Sequence, residues 1–173
     1  ENATGKSFLR RIIQSVFRER GLEVLALSMQ FRAAPYNMAR SFVYGDEGTS
    51  ATSSNTSNSI LGAIKTSRGR SAKHAIFWDE PDTGLSDNYA AGAVDEILEF
   101  VADPPKDLVF AVVVTHRRVM LERFAAAKPH HVRIGDEKTL AEALAAPVEP
   151  KRLSDLRERN HKMFLAISKE YGL

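Results

Sequence analysis

The fold of this chain is decided by residues 75–86, which read Ala-Ile-Phe-Trp-Asp-Glu-Pro-Asp-Thr-Gly-Leu-Ser. The first four are an unbroken apolar run, a pattern that favours a short strand buried on both faces of a sheet. The run ends in the two acids Asp79 and Glu80, followed by Pro81. A solvated turn is the alternative interpretation, but buried strands seldom end in paired acids that have no chemical role. The pattern therefore indicates a candidate site at the carboxyl end of a buried strand.

The second informative stretch is the beginning of the chain, where residues 1–7 read Glu-Asn-Ala-Thr-Gly-Lys-Ser. It matches the pattern G-x-x-x-x-G-K-[ST] from the second position onward, with the first glycine expected one place before Glu1. In such a loop, backbone N–H groups cradle phosphate oxygens, the lysine reaches the β- and γ-phosphates, and the last hydroxyl binds Mg²⁺. The alternative is a chance Gly-Lys-Ser at the start of a helix that Gly21 ends. The residues predicted to bind nucleotide are Asn2, Ala3, Thr4, Gly5, Lys6 and Ser7, and Ser7 is also a predicted metal ligand.

The two acids after the apolar run complement a phosphate-binding loop. Asp79 can hold the hydration shell of Mg²⁺, and Glu80 can orient and deprotonate the water that attacks the γ-phosphate. Together, the two stretches predict a site for ATP and Mg²⁺, with Asp79 at the metal and Glu80 as the catalytic base.

Residues 79–86 resemble the Walker B strand end and D-loop of ABC-type ATPases, the group that contains transporter nucleotide-binding domains and the DNA-repair and chromosome-maintenance ATPases. The Thr-Gly-Leu form is similar to the DNA-repair members. A second apolar run, Leu108 to Val114, ends in Thr115-His116, which resembles the switch histidine of the family. The resemblance implies that Glu80 and His116 are catalytic and that His116 contacts the γ-phosphate. The alternative for His116 is a polar residue with a local partner at a strand end.

The chain departs from the family ahead of the Walker B strand. The Leu-Ser-Gly-Gly-Gln signature does not occur, and a polar segment, Gly48 to Ser59, stands in its place before a helix. Counting back from Asp79 puts the signature serine of the family near Thr56 or Ser57. Either residue could cap that helix and offer its hydroxyl to the γ-phosphate of a partner subunit. A flexible polar loop is the alternative.

The resemblance also implies contacts beyond the loop and the two acids. In an ATP-dependent homodimer, Ser57 and the D-loop residue Ser86 would bind nucleotide across the interface. Gln30, which follows the strand-like Leu22 to Met29, resembles the Q-loop glutamine and is a predicted metal ligand.

Composition bounds the class of protein. The 173 residues, 43% of them hydrophobic, suffice for one domain with a substantial core. Cysteine is absent, so a disulfide framework is excluded, and no apolar run approaches the roughly 20 residues that span a bilayer. A net charge of +2 does not by itself indicate nucleic acid. We expect a cytoplasmic protein without membrane insertion, with nucleic acid or another protein as a possible partner.

Helical periodicity alternating with apolar runs predicts an α/β fold with a mostly parallel sheet. The resemblance specifies a P-loop NTPase three-layer fold, ABC-ATPase-like, that forms a single domain over residues 1–173 and lacks its first strand. A short strand at His131 to Ile134 and a C-terminal helix in 151–173 packed on the domain complete the expected order. The function expected is a soluble ATP-driven homodimer. Two alternatives stay open, the motor subunit of a membrane transporter and an ATP-binding regulatory module with little turnover.

Overall fold

The computed structural model describes residues 6–28, 51–132, 137–150 and 152–171, with side chains in the first helix from Arg11 onward. Among the described residues, helices and strands alternate as far as the third strand, and helices follow. The elements are α1 (Lys6–Glu19), β1 (Glu23–Ser28), α2 (Thr52–Arg68), β2 (His74–Asp79), α3 (Asp87–Ala102), β3 (Leu108–Val114), α4 (Arg118–Ala126), α5 (Leu140–Ala145) and α6 (Leu153–Tyr171).

The three described strands form one parallel sheet in the order β1-β2-β3. The α/β class with a parallel sheet is therefore confirmed. The register aligns Ser28 with Asp79 and Asp79 with Val114, so the three strands end at the same level. Residues that follow these ends are brought together at one edge, the carboxyl edge of the sheet.

The central strand β2 is buried on both faces, as its apolar sequence predicts. On one face, Ile76 and Trp78 belong to a core cluster with residues of α2, α3 and α4. Trp78 meets Phe100 of α3 edge to face, with ring centroids 6.2 Å apart. On the other face, Phe17 of α1 stacks on Phe110 of β3 at 5.2 Å. Helices thus cover both faces of the sheet, an arrangement compatible with a three-layer α/β fold.

From Thr52 onward the polar segment before β2 is helical, so the flexible-loop alternative is wrong for this part of it. Helix α2 begins at Thr52 and includes the serine- and threonine-rich run. The hydroxyl of Thr56 donates to the carbonyl of Thr52 at 2.9 Å, and Ser59 donates to that of Asn55 at 2.7 Å. Serine and threonine hydroxyls inside a helix can bond back to the preceding turn. The burial of Ile60 and Ala63 in the core and the contacts of Thr56 offset the low helix propensity of the run.

Two expectations concern the last third of the chain: a short strand at His131 to Ile134 and a C-terminal helix packed on the domain. His131 and Val132 are irregular rather than strand, and the rest of the expected strand lies outside the described residues. The C-terminal helix forms as α6, but its described side chains are mostly exposed, including Leu153 and Phe164. Among its described apolar side chains, Leu153, Phe164 and Leu165 are exposed and Leu156 is half-buried. The expected packing of this helix on the domain stays a prediction. No helix in the described ranges is long and apolar enough to cross a bilayer.

Candidate functional site at the carboxyl edge of the sheet

Glu80 and His116 are brought together because β2 and β3 are parallel and end in register. The backbone N–H of Glu80 donates to the carbonyl of Val114 at 2.8 Å, which continues the pairing of the strands by one residue. The carboxylate Oε1 of Glu80 then lies 3.2 Å from Nδ1 of His116. Two residues predicted to be catalytic from separate motifs thus form one pair.

The pair combines contact with access to solvent. The side chain of Glu80 is 31% exposed and that of His116 is 40% exposed. A carboxylate can only accept, so Nδ1 of His116 is the atom that can donate across this contact. A carboxylate that water can reach, beside an oriented imidazole, is suited to general base chemistry on a bound water.

The backbone of Glu80 adopts a conformation that side chains seldom take. Its φ is +54°, in the left-handed region, which costs a non-glycine residue about 1 kcal/mol or more. The turn that follows holds it there, since the N–H and the hydroxyl of Thr83 donate to the carbonyl of Glu80 at 3.3 and 3.0 Å. Strain of this kind is concentrated at functional positions, and here it aims the carboxylate of Glu80 toward His116.

A second layer of contacts ties the turn after β2 to the segment after β3. Asp82 is only 6% exposed, and its Oδ1 accepts from the hydroxyl of Thr115 at 3.2 Å. The oxygen of that hydroxyl in turn accepts from the N–H of Arg117 at 3.1 Å. A buried carboxylate needs such donors to offset its desolvation.

The guanidinium of Arg117 completes this layer. Nη1 donates to the carbonyls of Asp82 at 3.0 Å and Leu85 at 2.7 Å. Nη2 and Nε donate to Oδ1 of Asp87 at 2.8 and 3.1 Å. Sequence analysis missed Asp82, Thr115 and Arg117. The available signal was their position, since each lies within two residues of Glu80 or His116.

The start of α2 reaches the same turn. Gly84 has a φ of +76°, and a Cβ added there would lie 2.7 Å from Cγ2 of Thr52, which is too close. The hydroxyl of Thr56 also donates to the carbonyl of Thr83 at 2.6 Å. The predicted D-loop therefore needs glycine at position 84 both for its conformation and for contact with α2.

The residues expected to cap α2 do not do so. The helix begins at Thr52 with Ala51 at the N-cap, and no side chain caps it. Thr56 is buried and its hydroxyl is engaged, whereas Ser57 is exposed but lies in the second turn of the helix. The helix begins four residues before Thr56, so neither Thr56 nor Ser57 lies at its N-cap.

The other predicted site residues divide into those the structure describes and those it does not. Ser86 is exposed and is the N-cap of α3. Lys6 and Ser7 open α1, as a Gly-Lys-Ser motif at a helix start requires. Residues 1–5 and Gln30, with their expected nucleotide and metal contacts, lie outside the described residues.

For a metal, Asp79 is the one predicted ligand whose side chain is described. It is half-buried at the end of β2, and its carboxylate is the hard oxygen donor that Mg²⁺ prefers. The described residues contain no group of three or more His, Cys, Asp and Glu side chains that could hold a metal by themselves.

Comparisons of the chain with models of protein families, with curated proteins and with solved structures found no match. The function is therefore inferred from the chemistry of the site.

Proposed function

We propose that this chain binds and hydrolyses ATP as a P-loop ATPase of the ABC type. The observation that carries the proposal is the Glu80–His116 pair, which lies at 3.2 Å at the carboxyl edge of a parallel sheet, directly after Asp79. Ligands of open parallel sheets bind at this edge. The motif residues at the start of α1 supply the chemistry that a triphosphate requires.

The proposed reaction is an in-line attack of water on the γ-phosphorus. Glu80 orients the water and takes its proton as the new P–O bond forms. The bond between the γ-phosphorus and the β–γ bridging oxygen breaks, and ADP leaves with the electron pair. His116, which lies beside Glu80, would donate through Nε2 to a γ-phosphate oxygen and stabilise the charge that develops there, a role that requires the proton on Nε2.

Binding of the triphosphate is assigned to the first turn of α1 and the loop before it. The backbone N–H groups of residues 2–5 and the positive end of the α1 dipole attract the phosphates. The ammonium of Lys6 pairs with the β- and γ-phosphates. Asp79, Ser7 and Gln30 would hold Mg²⁺, which neutralises phosphate charge when bound.

The proposed working form is a homodimer that ATP assembles, of the DNA-repair and chromosome-maintenance type. Ser57 and Ser86 are both exposed, so each is accessible to the nucleotide of a second copy. The γ-phosphate would then accept charge-assisted hydrogen bonds across the interface that ADP does not offer. A transporter motor and a regulatory module with little turnover are the competing outcomes of the test.

The test uses Glu80→Gln in a chain that includes the complete phosphate-binding loop. ATP affinity is expected to be retained, and hydrolysis is expected to slow by on the order of 10² to 10⁴, the usual contribution of a general base. Glu96→Gln on the exposed face of α3 is the matched control. Hydrolysis at the parental rate in Glu80→Gln would exclude the catalytic assignment.

The dimer is tested with the same variant by light scattering with ATP, with ADP and without nucleotide. ATP alone is expected to convert monomer into dimer, because trapped ATP keeps its γ-phosphate. A monomer in all three conditions would overturn the ABC-type assembly. Binding without hydrolysis in the parental chain would favour the regulatory module, and capture of a membrane partner would favour the transporter motor.

A further inference from the structure

Arg117 makes an unusually large number of hydrogen bonds for an arginine side chain that is partly exposed. Its side chain is 26% exposed, and its guanidinium donates to two backbone carbonyls and one carboxylate of the segment that follows β2. The planar fork of arginine matches several acceptors at once, and its charge strengthens each bond. This set of bonds is called here the Arg117 clasp; its acceptors are the carbonyls of Asp82 and Leu85 and the carboxylate of Asp87.

The clasp spans the loop that begins at Glu80. The loop is anchored at its start by the bond from the N–H of Glu80 to Val114. Its middle and end are held by Arg117, which lies three residues after Val114, the residue of β3 in register with Asp79. The loop that contains Glu80 is therefore bonded at its start to Val114 of β3, and at its middle and end to Arg117 in the segment after β3.

We propose that Arg117 is a positioning residue that holds Glu80 in the orientation required to activate water. This inference rests on the proposed function. Arg117 acts through the loop, since its bonds go to Asp82, Leu85 and Asp87 rather than to Glu80 itself. The segment after β3 would then have two roles: His116 contacts the γ-phosphate, and Arg117 positions the loop that contains Glu80.

The physical reason is the strained backbone of Glu80. A φ of +54° persists only where the surroundings hold it. Without the clasp, the turn keeps the bonds from Thr83 to the carbonyl of Glu80 and from the N–H of Leu85 to the carbonyl of Asp82, together with those from the hydroxyls of Thr56 and Thr115. It loses the charged donor that holds the carbonyls of Asp82 and Leu85. Relaxation of φ would swing the carboxylate of Glu80 away from His116, and misplacement of a catalytic group by about 1 Å can cost on the order of 10²-fold in rate.

The experiment compares Arg117→Gln and Arg117→Lys with the matched control Arg118→Gln. Arg118 is the adjacent arginine, is 45% exposed and donates instead to Glu122 and to carbonyls at the end of α5. In Arg117→Gln, kcat is expected to fall roughly 10- to 100-fold, while the Kd for a non-hydrolysable ATP analogue stays within about twofold. Arg117→Lys is expected to rescue little, because an ammonium cannot reproduce the fork. The control is expected to keep the parental kcat and Kd.

A second readout does not depend on ATP. Amide hydrogen exchange of Thr83 and Leu85, measured by NMR in the full chain, is expected to accelerate at least roughly tenfold in Arg117→Gln, since charge-assisted bonds to the loop are lost. Amides of α3 such as Val94 and Ile97 are expected to keep the parental rates, which distinguishes a loop effect from global unfolding. If Arg117→Gln does not fold, the same measurements on Arg117→Lys decide.

Parental kcat or parental exchange of the loop amides in the Arg117 variants would overturn the proposal, as would an equal loss in Arg118→Gln. A parental chain that does not hydrolyse ATP would overturn the proposed function instead. The exchange rates then decide alone: acceleration supports Arg117 as the residue that positions the Glu80 loop, and unchanged rates exclude it.

Discussion

The two edges of the sheet each carry a histidine, and the two histidines have opposite surroundings. At the amino edge, His74 is fully buried. Its Nδ1 donates to the carbonyl of Ala72 at 2.8 Å, and its Nε2 accepts from the hydroxyl of Ser67 at 2.7 Å. At the carboxyl edge, His116 is 40% exposed and contacts the carboxylate of Glu80.

The contrast separates a structural polar group from a candidate functional one. At the amino edge, both ring nitrogens of His74 have a hydrogen-bond partner inside the core, the carbonyl of Ala72 and the hydroxyl of Ser67. At the carboxyl edge a charged partner, solvent access and the strained Glu80 occur together, and α3 begins there at Asp87. Burial with satisfied bonds stabilises a fold, whereas exposure with a strained neighbour leaves a group able to react.

The largest effect is expected for His116→Gln on catalysis. Loss of the γ-phosphate donor is expected to slow ATP hydrolysis by on the order of 10² to 10³. The free energy of unfolding is expected to change by less than about 0.5 kcal/mol, since the side chain lies at the surface. Steady-state kinetics and urea unfolding measure the two quantities.

The exposed His161 of α6 provides the control, because His161→Gln removes a histidine far along the chain from the site. If His116→Gln lowered the free energy of unfolding and left the rate of hydrolysis unchanged, His116 would be a structural residue like His74.

His74→Ala is expected to show the reverse pattern. It removes a buried ring and leaves the hydroxyl of Ser67 without its acceptor, so the free energy of unfolding is expected to fall by about 2–3 kcal/mol. The kcat of the folded fraction is expected to stay near the parental value. Chemical denaturation checks the first expectation and an activity assay at low temperature checks the second. A selective loss of kcat would mean that the amino edge takes part in the chemistry.

Much of this architecture is predictable from the sequence. The apolar runs predict both β2 and β3 as strands. β2 is buried on both faces, as an all-apolar strand predicts, whereas β3 is partly exposed, with Val109 and Phe110 reaching solvent. The pairing of Glu80 with His116 follows from parallel strands that end together, even though the two residues are distant in the chain. These features depend on pattern and topology, which sequence carries.

The clasp and the start of α2 were not predictable in the same way. Thr56 lies inside a helix because it reaches the carbonyl of Thr83, and Asp82 is buried because Thr115 and Arg117 donate to its part of the loop. Each of these facts depends on a partner distant in the chain. Local propensity therefore favoured a polar loop where tertiary contacts stabilise a helix.

Gly84→Ala is expected to lower the free energy of unfolding, because it changes the turn at the carboxyl edge of the sheet. The new Cβ would adopt an unfavourable φ and would lie within 3.0 Å of two side-chain atoms of Thr52. The expected loss is about 2 kcal/mol, from backbone strain and overpacking together. Gly92→Ala in α3 is the matched control, because nothing lies within 4 Å of its added Cβ and alanine favours a helix by roughly 0.5–1 kcal/mol. Equal thermal midpoints for the two variants would show that the D-loop does not need glycine.

The smallest effect is expected for the ion pair of Arg123 and Asp95, which lies at the surface away from both edges of the sheet. It measures how much an exposed ion pair contributes to stability. Arg123 of α4 donates to both carboxylate oxygens of Asp95 in α3, and this bonding lowers the pKa of the Asp95 carboxyl. A carboxyl whose pKa is depressed by folding stabilises the protein above its unfolded pKa, near 3.9, and loses that contribution as pH falls through the folded value. The difference in melting temperature between the parental chain and Asp95→Asn is therefore expected to be small at pH 7, to diminish below about pH 4 and to shrink in 1 M salt.

Asp103→Asn, whose carboxylate is 90% exposed and 3.5 Å from Arg68, is the control and is expected to shift the midpoint less. A difference that grows on acidification would mean that Asp95 is stabilised as the neutral acid and that this contact does not represent exposed charge.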